Sequence, residues 1–286
     1  MRLSIVTINY NNADGLRKTL HSVAAQTYRD IEHIIMDGGS TDGSVEVIKE
    51  YVAANPNKDP FCKHTIKWVS EKDRGIYNAM NKGIRKASGA YIEILNSGDI
   101  LAAPDVTERM VKELEKGEYP SILYGNMLKS YDGTTIINKD TCGGAGATES
   151  FLYFYRGTLN HDCAYIRRDL FDKYGLYNEE MKICSDWEWY VKAIALGGEK
   201  AVYTNIDVTI FDMNGVSESH GKNAELIKKE RREYLEKILP VSVLKDYDNY
   251  SFPIGQYQRL KKYHLWGLVY FMERVLFKFE KWHILK

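Results

Sequence analysis

The sequence predicts an α/β fold: a mostly parallel, partly mixed sheet flanked by helices, followed by a C-terminal helical extension. Three observations predict it. Short apolar, β-branched runs alternate with polar, glycine-rich loops and then with apolar residues at helical spacing, at intervals of about 30 residues, which is the signature of right-handed βαβ units. The chain has 286 residues, 44% of them hydrophobic, enough to bury a sizeable core. Past Tyr124 the alternation weakens, and longer helical patterns take over toward the C-terminus.

Leu3 to Ile8 reads as the first strand; Asn9 to Asn12 supply loop and capping chemistry, and Leu16, Leu20, Val23 and Ala24 then recur at helical spacing. Ile31 to Met36 is the second strand, Asp37 to Gly43 a turn-rich loop, and Val45 to Ala54 a helix. Ile66 to Val69, the polar loop Glu71 to Gly75, and a helix from Tyr77 to Ala87 complete the third round, before the fourth strand, Ala90 to Leu95. A helix from Pro104 to about Glu115 leads to Ile122-Leu123-Tyr124, and short strands follow, including Ala164 to Ile166 and Val208 to Phe211. Two more helices are expected, from about Asp186 to Leu196 and from about Asn223 to Ile238, the second ended by Pro240. Gly215 to Gly221 and Pro240 to Pro253 are the boundary candidates, and the first divides a catalytic domain, residues 1–215, from an extension, residues 216–286.

Thirty-nine basic against 39 acidic side chains leave zero formal charge, so nothing pulls the whole chain toward a polyanion, and nucleic acid is not an expected partner. The balance is a cancellation: residues 252–286 carry 7 basic and 2 acidic side chains, the rest 32 and 37. The four cysteines show no Cys-x-x-Cys spacing, which points to reduced, mostly buried thiols and argues against a structural zinc site. The N-terminus lacks a signal-peptide core, and the longest uncharged apolar stretch near the C-terminus, Trp266 to Met272, is too short to span a bilayer. A cytoplasmic location is expected.

In an open parallel sheet, ligands bind beyond the carboxyl ends of the strands, where successive loops converge. Thr7, Asn9 and Asn11 follow the first strand, Asp37 the second, Asp73 and Arg74 the third, and Asn96 to Asp99 the fourth. Each alone is an ordinary turn or cap residue. Together, four loops deliver polar side chains to one rim. The chain has neither G-x-G-x-x-G after the first strand nor a P-loop, so the usual phosphate cradles are absent. A lone Asp99 after an apolar strand, beside Asn96 and Ser97, instead fits Mg2+ or Mn2+ held by one or two protein groups and completed by substrate phosphates.

Ile5-Val6-Thr7-Ile8-Asn9-Tyr10-Asn11, Asp37-Gly38-Gly39-Ser40-Thr41-Asp42-Gly43, Asp73-Arg74-Gly75-Ile76-Tyr77-Asn78-Ala79-Met80-Asn81-Lys82-Gly83 and Leu95-Asn96-Ser97-Gly98-Asp99 together resemble family 2 glycosyltransferases, in the form found in bacterial capsule and exopolysaccharide synthesis. The resemblance covers roughly residues 1–215 and implies a GT-A fold, a Rossmann-like nucleotide-binding sheet. It implies that Thr7, Asn9, Asn11, Asp37, Asp73 and Arg74 line the pocket for a nucleotide-sugar donor, with Asn81 and Asn96 toward the donor sugar. Asp99 would match the last acidic residue of the family's metal motif, with Asn96 standing where many members have a first carboxylate.

Cys184-Ser185-Asp186-Trp187-Glu188 resembles the segment that carries the family's catalytic base, which implies that role for Asp186. Ser185 and Glu188 have capping-box spacing, which would set Asp186 at the first helical position and keep it ionised. Asn160-His161-Asp162 resembles a segment near the acceptor, with a structural histidine as the alternative. Trp187 and Trp189 point in different directions on a helix, so either could stack on an acceptor sugar while the other packs inside. His220, in a glycine-bounded segment, reads as part of a lid or as a further metal ligand. Leu265, Leu268, Val269, Met272, Val275, Leu276 and Phe279 repeat at helical spacing between Lys261, Lys262, Arg274, Lys278 and Lys281. Such a helix fits the core, a second subunit as a homodimer contact, or peripheral binding to the inner face of the plasma membrane.

The function these features imply is inverting, metal-dependent transfer of a sugar, of hexosyl or N-acetylhexosaminyl type, in surface polysaccharide synthesis. The donor would be a nucleotide sugar, a UDP-sugar first, and the acceptor a saccharide or lipid-linked saccharide. A sugar-phosphate nucleotidyltransferase and a non-catalytic sugar-nucleotide-binding module are the alternatives. The first lacks its glycine-rich basic signature between Asn9 and Gly15; the second is motivated by the reduced acidic motif.

Overall fold

The computed structural model describes residues 1–54, 64–117, 119–214 and 223–262, together with 265, 267, 270–272 and 274–278. The chain forms two compact units, Met1–Tyr234 and Leu235–Lys286. The expected boundary after residue 215 falls in 215–222, outside the described residues.

Four parallel strands, β1 (Leu3–Asn9), β2 (Ile31–Asp37), β3 (Thr65–Ser70) and β4 (Tyr91–Asn96), lie in the order β3-β2-β1-β4. All seven residues of β1 and of β2 are buried, as strands covered on both faces require. On one face α1 (Ala13–Ala24) and α2 (Ser44–Ala54) close a cluster of Leu16, Leu20, Ile35, Val47 and Ile48. On the other, α3 (Ile76–Lys86) packs on β1 and β2. Gly83 makes that approach: a Cβ there would meet Val6 Cγ1 at 2.3 Å. The chain winds out from β1 to β3 and returns across β1 to β4, so the crevice between β1 and β4 is where such a sheet binds ligands.

The second half is mixed. β5 (Ile100–Leu101), α4 (Val106–Lys116), β6 (Ile122–Ser130), β7 (Asn138–Asp140), α5 (Phe151–Arg156), β8 (Ala164–Arg167), α6 (Asp169–Tyr174), α7 (Ser185–Tyr190) and β9 (Ala201–Asp212) follow in chain order. β8 is antiparallel to β4 and β6, β9 parallel to β6, and β5 antiparallel to β9, giving the order β3-β2-β1-β4-β8-β6-β9-β5 with β7 on β6. Residues 97–99 alone join β4 to β5, yet β8, β6 and β9 lie between them in the sheet. Four strand spacings measure about 19 Å flat, whereas the linker reaches about 14 Å from Asn96 to Ile100, so the sheet must curl. Asp99 is thereby folded into the curl beside the end of β9.

The expected strand and helix centres are present, with differences. β6 and β9 run well beyond the three or four apolar residues that mark them, carrying Asn126 and Asp207 inside the ladder. α7 stops at Tyr190 and continues as a π-helical turn, Val191–Leu196, in place of one straight helix. α8 (Ala224–Ile238) ends before Pro240 as expected, and the boundary candidate from Pro240 to Pro253 is helical backbone: α9 (Val241–Lys262) starts at once, with Leu244 N bonded to Pro240 O. Proline is well placed at a helix start, where its missing N–H costs nothing. Residues 267, 270–272 and 274–278 are helical.

Candidate functional site

The carboxyl ends of β1 and β2 meet at Asp37. Its carboxylate accepts from Asn9 Nδ2 at 2.8 Å, Ser70 Oγ at 2.6 Å, and the backbone N and Oγ of Ser40. Burial alone would raise the Asp37 pKa, but the bonds from Ser40, Ser70 and Asn9 outweigh it and hold the carboxyl below its ordinary range. Asn11, in the left-handed region at φ 47°, donates its N–H to Ser40 Oγ and accepts from Thr41 N, so the loops after β1 and β2 close on one another. Thr7 lies a layer beneath: it is fully buried and its hydroxyl pairs with His33 at 2.9 Å.

Asp73 reaches this rim because Gly38 has no side chain; a Cβ there would lie 2.5 Å from Asp73 Oδ2. Arg74, 79% exposed, donates to Glu179 at 2.7 Å. Asn78 donates to the same carboxylate at 2.8 Å and Asn81 at 3.1 Å, and these bonds, Arg74's first, hold Glu179 down to about 2. Asn81, expected toward the donor sugar, is instead spent inside: it donates to Tyr177 O and accepts from Tyr177 N. It braces the loop that carries Glu179, a residue with no sequence signal of its own.

The second cluster lies at the end of β4. His161 Nδ1 is 3.1 Å from Asp186 Oδ2, His161 Nε2 is 3.1 Å from the Asn96 side chain, and Tyr77 Oη donates to Asp186 Oδ1 at 3.2 Å. Burial works against charge on His161, but the bond and charge of Asp186, with Asp162 and Asp99 behind it, raise its pKa to about 9. Burial likewise opposes charge on Asp186, yet His161, the Trp187 N–H and Tyr77 keep its carboxyl below the ordinary range. An imidazolium-carboxylate pair results at neutral pH. Asn96 presents its Nδ2 to Nε2 while its Oδ1 is buried without a partner among the described residues; with both ring nitrogens donating, exchanging the amide N and O would pair Oδ1 with Nε2. Each Asp186 oxygen keeps a second lone pair. Tyr77, which couples α3 to Asp186 and also donates to Ile183 O, is not marked out by its spacing in the sequence.

Asp99 is 3% exposed; its Oδ1 accepts from Asp212 N at 2.9 Å, and its pKa is raised by burial and then by the charges of Asp162 and Asp212. Buried like charges of this kind are what a divalent cation relieves. Asp99 is one carboxylate at the end of β4, a ligand of the kind Mg2+ or Mn2+ takes together with phosphate oxygens, and among the described residues no three His, Cys, Asp or Glu side chains enclose a metal.

Two expectations are corrected. Trp187 is 1% exposed, with its Nε1 donating to Phe154 O and its ring against Tyr234, so it packs inside and presents no face to a sugar; Trp189 is equally buried. The capping box does not form: Ser185 Oγ has no partner among the described residues and Glu188 pairs with Lys192 at 2.8 Å. His220 lies outside the described residues.

The sequence profile described as Glycosyl transferase family 2 matches residues 4–175. An uncharacterised glycosyltransferase of Mycobacterium tuberculosis is 34% identical over 194 residues, 67% of this chain and 68% of that protein. Among solved structures, S. aureus TarS 1–349 in complex with UDP-GlcNAc matches with a TM-score of 0.62 at 17% identity, covering 86% of this chain and 70% of that one. The chain spans 42% of the longer TarS chain. The mannosyltransferase PcManGT from Pyrobaculum calidifontis, in complex with GDP-Man and Mn2+, matches with a TM-score of 0.58 at 18% identity over 87% of this chain and 69% of its own. Identities this low speak for the fold, which is GT-A, and for nothing finer.

Proposed function

The chain belongs to glycosyl transferase family 2, and we propose that within it the protein is an inverting, metal-dependent transferase. It would move a hexosyl or N-acetylhexosaminyl unit from a UDP-sugar to a saccharide or lipid-linked saccharide in surface polysaccharide synthesis. The observation that carries this reading is the ionised Asp186, held by His161 and Tyr77 beside Asn96 at the crevice of the sheet. A carboxylate there can take the proton of an acceptor hydroxyl as its oxygen bonds to the anomeric carbon and the nucleoside diphosphate leaves, a single displacement that inverts configuration. Asp73 and the Asp37 hub offer acceptors for base and ribose, and Arg74 offers charge. Mn2+ or Mg2+ would be held by Asp99 together with the diphosphate and would supply positive charge to the leaving group. The bound Mn2+ of the archaeal neighbour and the UDP-GlcNAc of the staphylococcal one support metal and donor by analogy.

Incubation with UDP-GlcNAc and Mn2+ is expected to release free UDP slowly, and chelation to stop it. Asp99→Asn should weaken Mn2+-dependent UDP binding at least tenfold in titration calorimetry. No UDP release from any nucleotide sugar tried would favour the binding module, and pyrophosphate release from a nucleoside triphosphate and a sugar phosphate would favour the nucleotidyltransferase.

Peripheral membrane binding fits a lipid-linked acceptor. Phe271, Met272, Val275, Leu276 and Phe277 are 37–68% exposed, and Arg274 and Lys278 lie among them, in a tail that carries 7 basic and 2 acidic side chains. No helix among the described residues is long and apolar enough to cross a membrane. The full chain should float with phosphatidylglycerol vesicles, and Phe271→Asp with Leu276→Asp should reduce flotation severalfold. No flotation combined with a concentration-dependent doubling of mass would assign the face to a second copy.

A further inference from the structure

The segment that delivers Asp186 is irregular backbone, and in such a segment every buried N–H needs a partner. The N–H groups of Lys182, Ile183 and Cys184 point at one carboxylate, that of Glu230 on α8, with donor-acceptor distances of 2.6, 3.1 and 3.0 Å. Glu230 is 8% exposed, and three N–H donors compensate the burial of its charge. Successive amides converging on an anion form a nest, here filled by a side chain of the same protein.

Asp186 follows two residues after this nest. The α7 N-cap, Cys184, makes no side-chain cap bond, and Glu230 adds negative charge at the start of a helix whose first turn already carries Asp186 and Glu188. The next residue of α8, and the one a helical turn after Glu230, extend the grip to the far side of Asp186. The Arg231 guanidinium lies 5.0 Å from the Trp187 ring centre, and the Tyr234 ring meets Trp187 edge-on at 5.7 Å. From below, the single hydroxyl proton of Tyr77 is shared between Ile183 O and Asp186 Oδ1. The carboxylate of Asp186 is thus aimed by a backbone held between α3 and α8.

We propose that Glu230 is a positioning residue for the reaction: by gathering the amides of Lys182, Ile183 and Cys184 it fixes the backbone that points Asp186 at the acceptor hydroxyl. The proposal rests on the reading of Asp186 as the base. A displacement of about 1 Å at a reacting group costs on the order of a hundredfold in rate. Glu230→Gln keeps the shape of the side chain but turns an amide NH2 toward groups that also donate.

The test uses the full chain with UDP-GlcNAc and Mn2+ as probe donor and metal, reading UDP release. Glu230→Gln is expected to lower kcat at least tenfold with the donor KM within twofold of wild type, and to speed deuterium exchange in the peptide around 182–186. Glu230→Asp, which keeps the charge on a shorter arm, should recover part of kcat. Wild-type kcat in Glu230→Gln, with Asp186→Asn inactive, would overturn the positioning role and leave the base reading standing. Near-normal release by Asp186→Asn would overturn the base reading and this proposal with it. Should Glu230→Gln fail to fold, Glu230→Asp decides: a threefold or larger fall in kcat at constant KM supports the role, and an unchanged kcat overturns it.

Discussion

Replacing Asp186 with asparagine is expected to lower sugar transfer at least a thousandfold while leaving UDP binding within a factor of two. Asparagine has the shape of aspartate and its Oδ1 can still accept from Tyr77, so the fold has little reason to change. What it lacks is the ability to take a proton, and a positioned general base contributes roughly 10²–10⁴ in rate. A second loss compounds the first. His161 keeps its charge chiefly against burial and through Asp186, so the neutral side chain also removes the anion that holds the imidazolium and, through it, the Asn96 amide. Donor binding survives because the groups at the ends of β1, β2 and β3 owe nothing to Asp186: Asp37 is held by Asn9, Ser40 and Ser70, and Asp73 rests on Gly38. Transfer of a radiolabelled sugar, paired with calorimetric titration of UDP, separates the two. Near-normal transfer by Asp186→Asn would refute the base assignment.

The parallel half of the fold was legible because each of its elements declares itself locally. β1 and β2 are buried on both faces and therefore mostly apolar, with Ser4 bonded to Glu32 and Thr7 to His33 between them, and the loops after them carry the glycines and short polar residues that such turns need. The rim of Asn9, Asp37 and Asp73 was legible for the same reason, since a position just past a parallel strand is a position at the ligand end. β5 has two residues and β7 three, too short to leave a period, and β9 carries polar residues through its middle. The capping box failed for a tertiary reason. Ser185 and Glu188 have the right spacing, but Cys184, whose N–H is held by Glu230 46 residues later in the chain, is the N-cap, so Ser185 already lies inside the first turn, and Glu188 turns to Lys192. Asn81 shows the converse: its motif points to the donor, while its contacts with Tyr177 and Glu179 are visible only once α3 and the loop at 177–179 are packed together.

The largest effect on stability is expected at Glu93, which no motif marks. It sits in the middle of β4, fully buried, and neither carboxyl oxygen has a hydrogen-bond partner among the described residues. Burial pushes its pKa up to about 8, the nearby Tyr165 hydroxyl opposes that rise, and the charge of Asp162 adds to it. The folded protein therefore binds this proton more tightly than the unfolded chain, whose glutamate titrates at its ordinary value of 4.5. The resulting contribution to stability is fully present below the ordinary carboxylate range and is lost as pH rises through about 8. Each tenfold difference in proton affinity between the folded and unfolded chain is worth about 1.4 kcal/mol, so the charged form costs on the order of 2–5 kcal/mol at about pH 9. Glu93→Gln removes that dependence. At about pH 4 the side chain is neutral in both the folded and the unfolded chain, and a neutral glutamate and a glutamine face the same apolar surroundings, so the two proteins should melt within about 2 °C of each other. At pH 9 the variant should melt several degrees higher, because only wild type must then hold a bare carboxylate between β1 and β8. Equal melting temperatures at both pH values would show that Glu93 finds its charge compensated. A widening gap would show that Glu93 loses its proton inside the folded protein, against both its burial and the charge of Asp162.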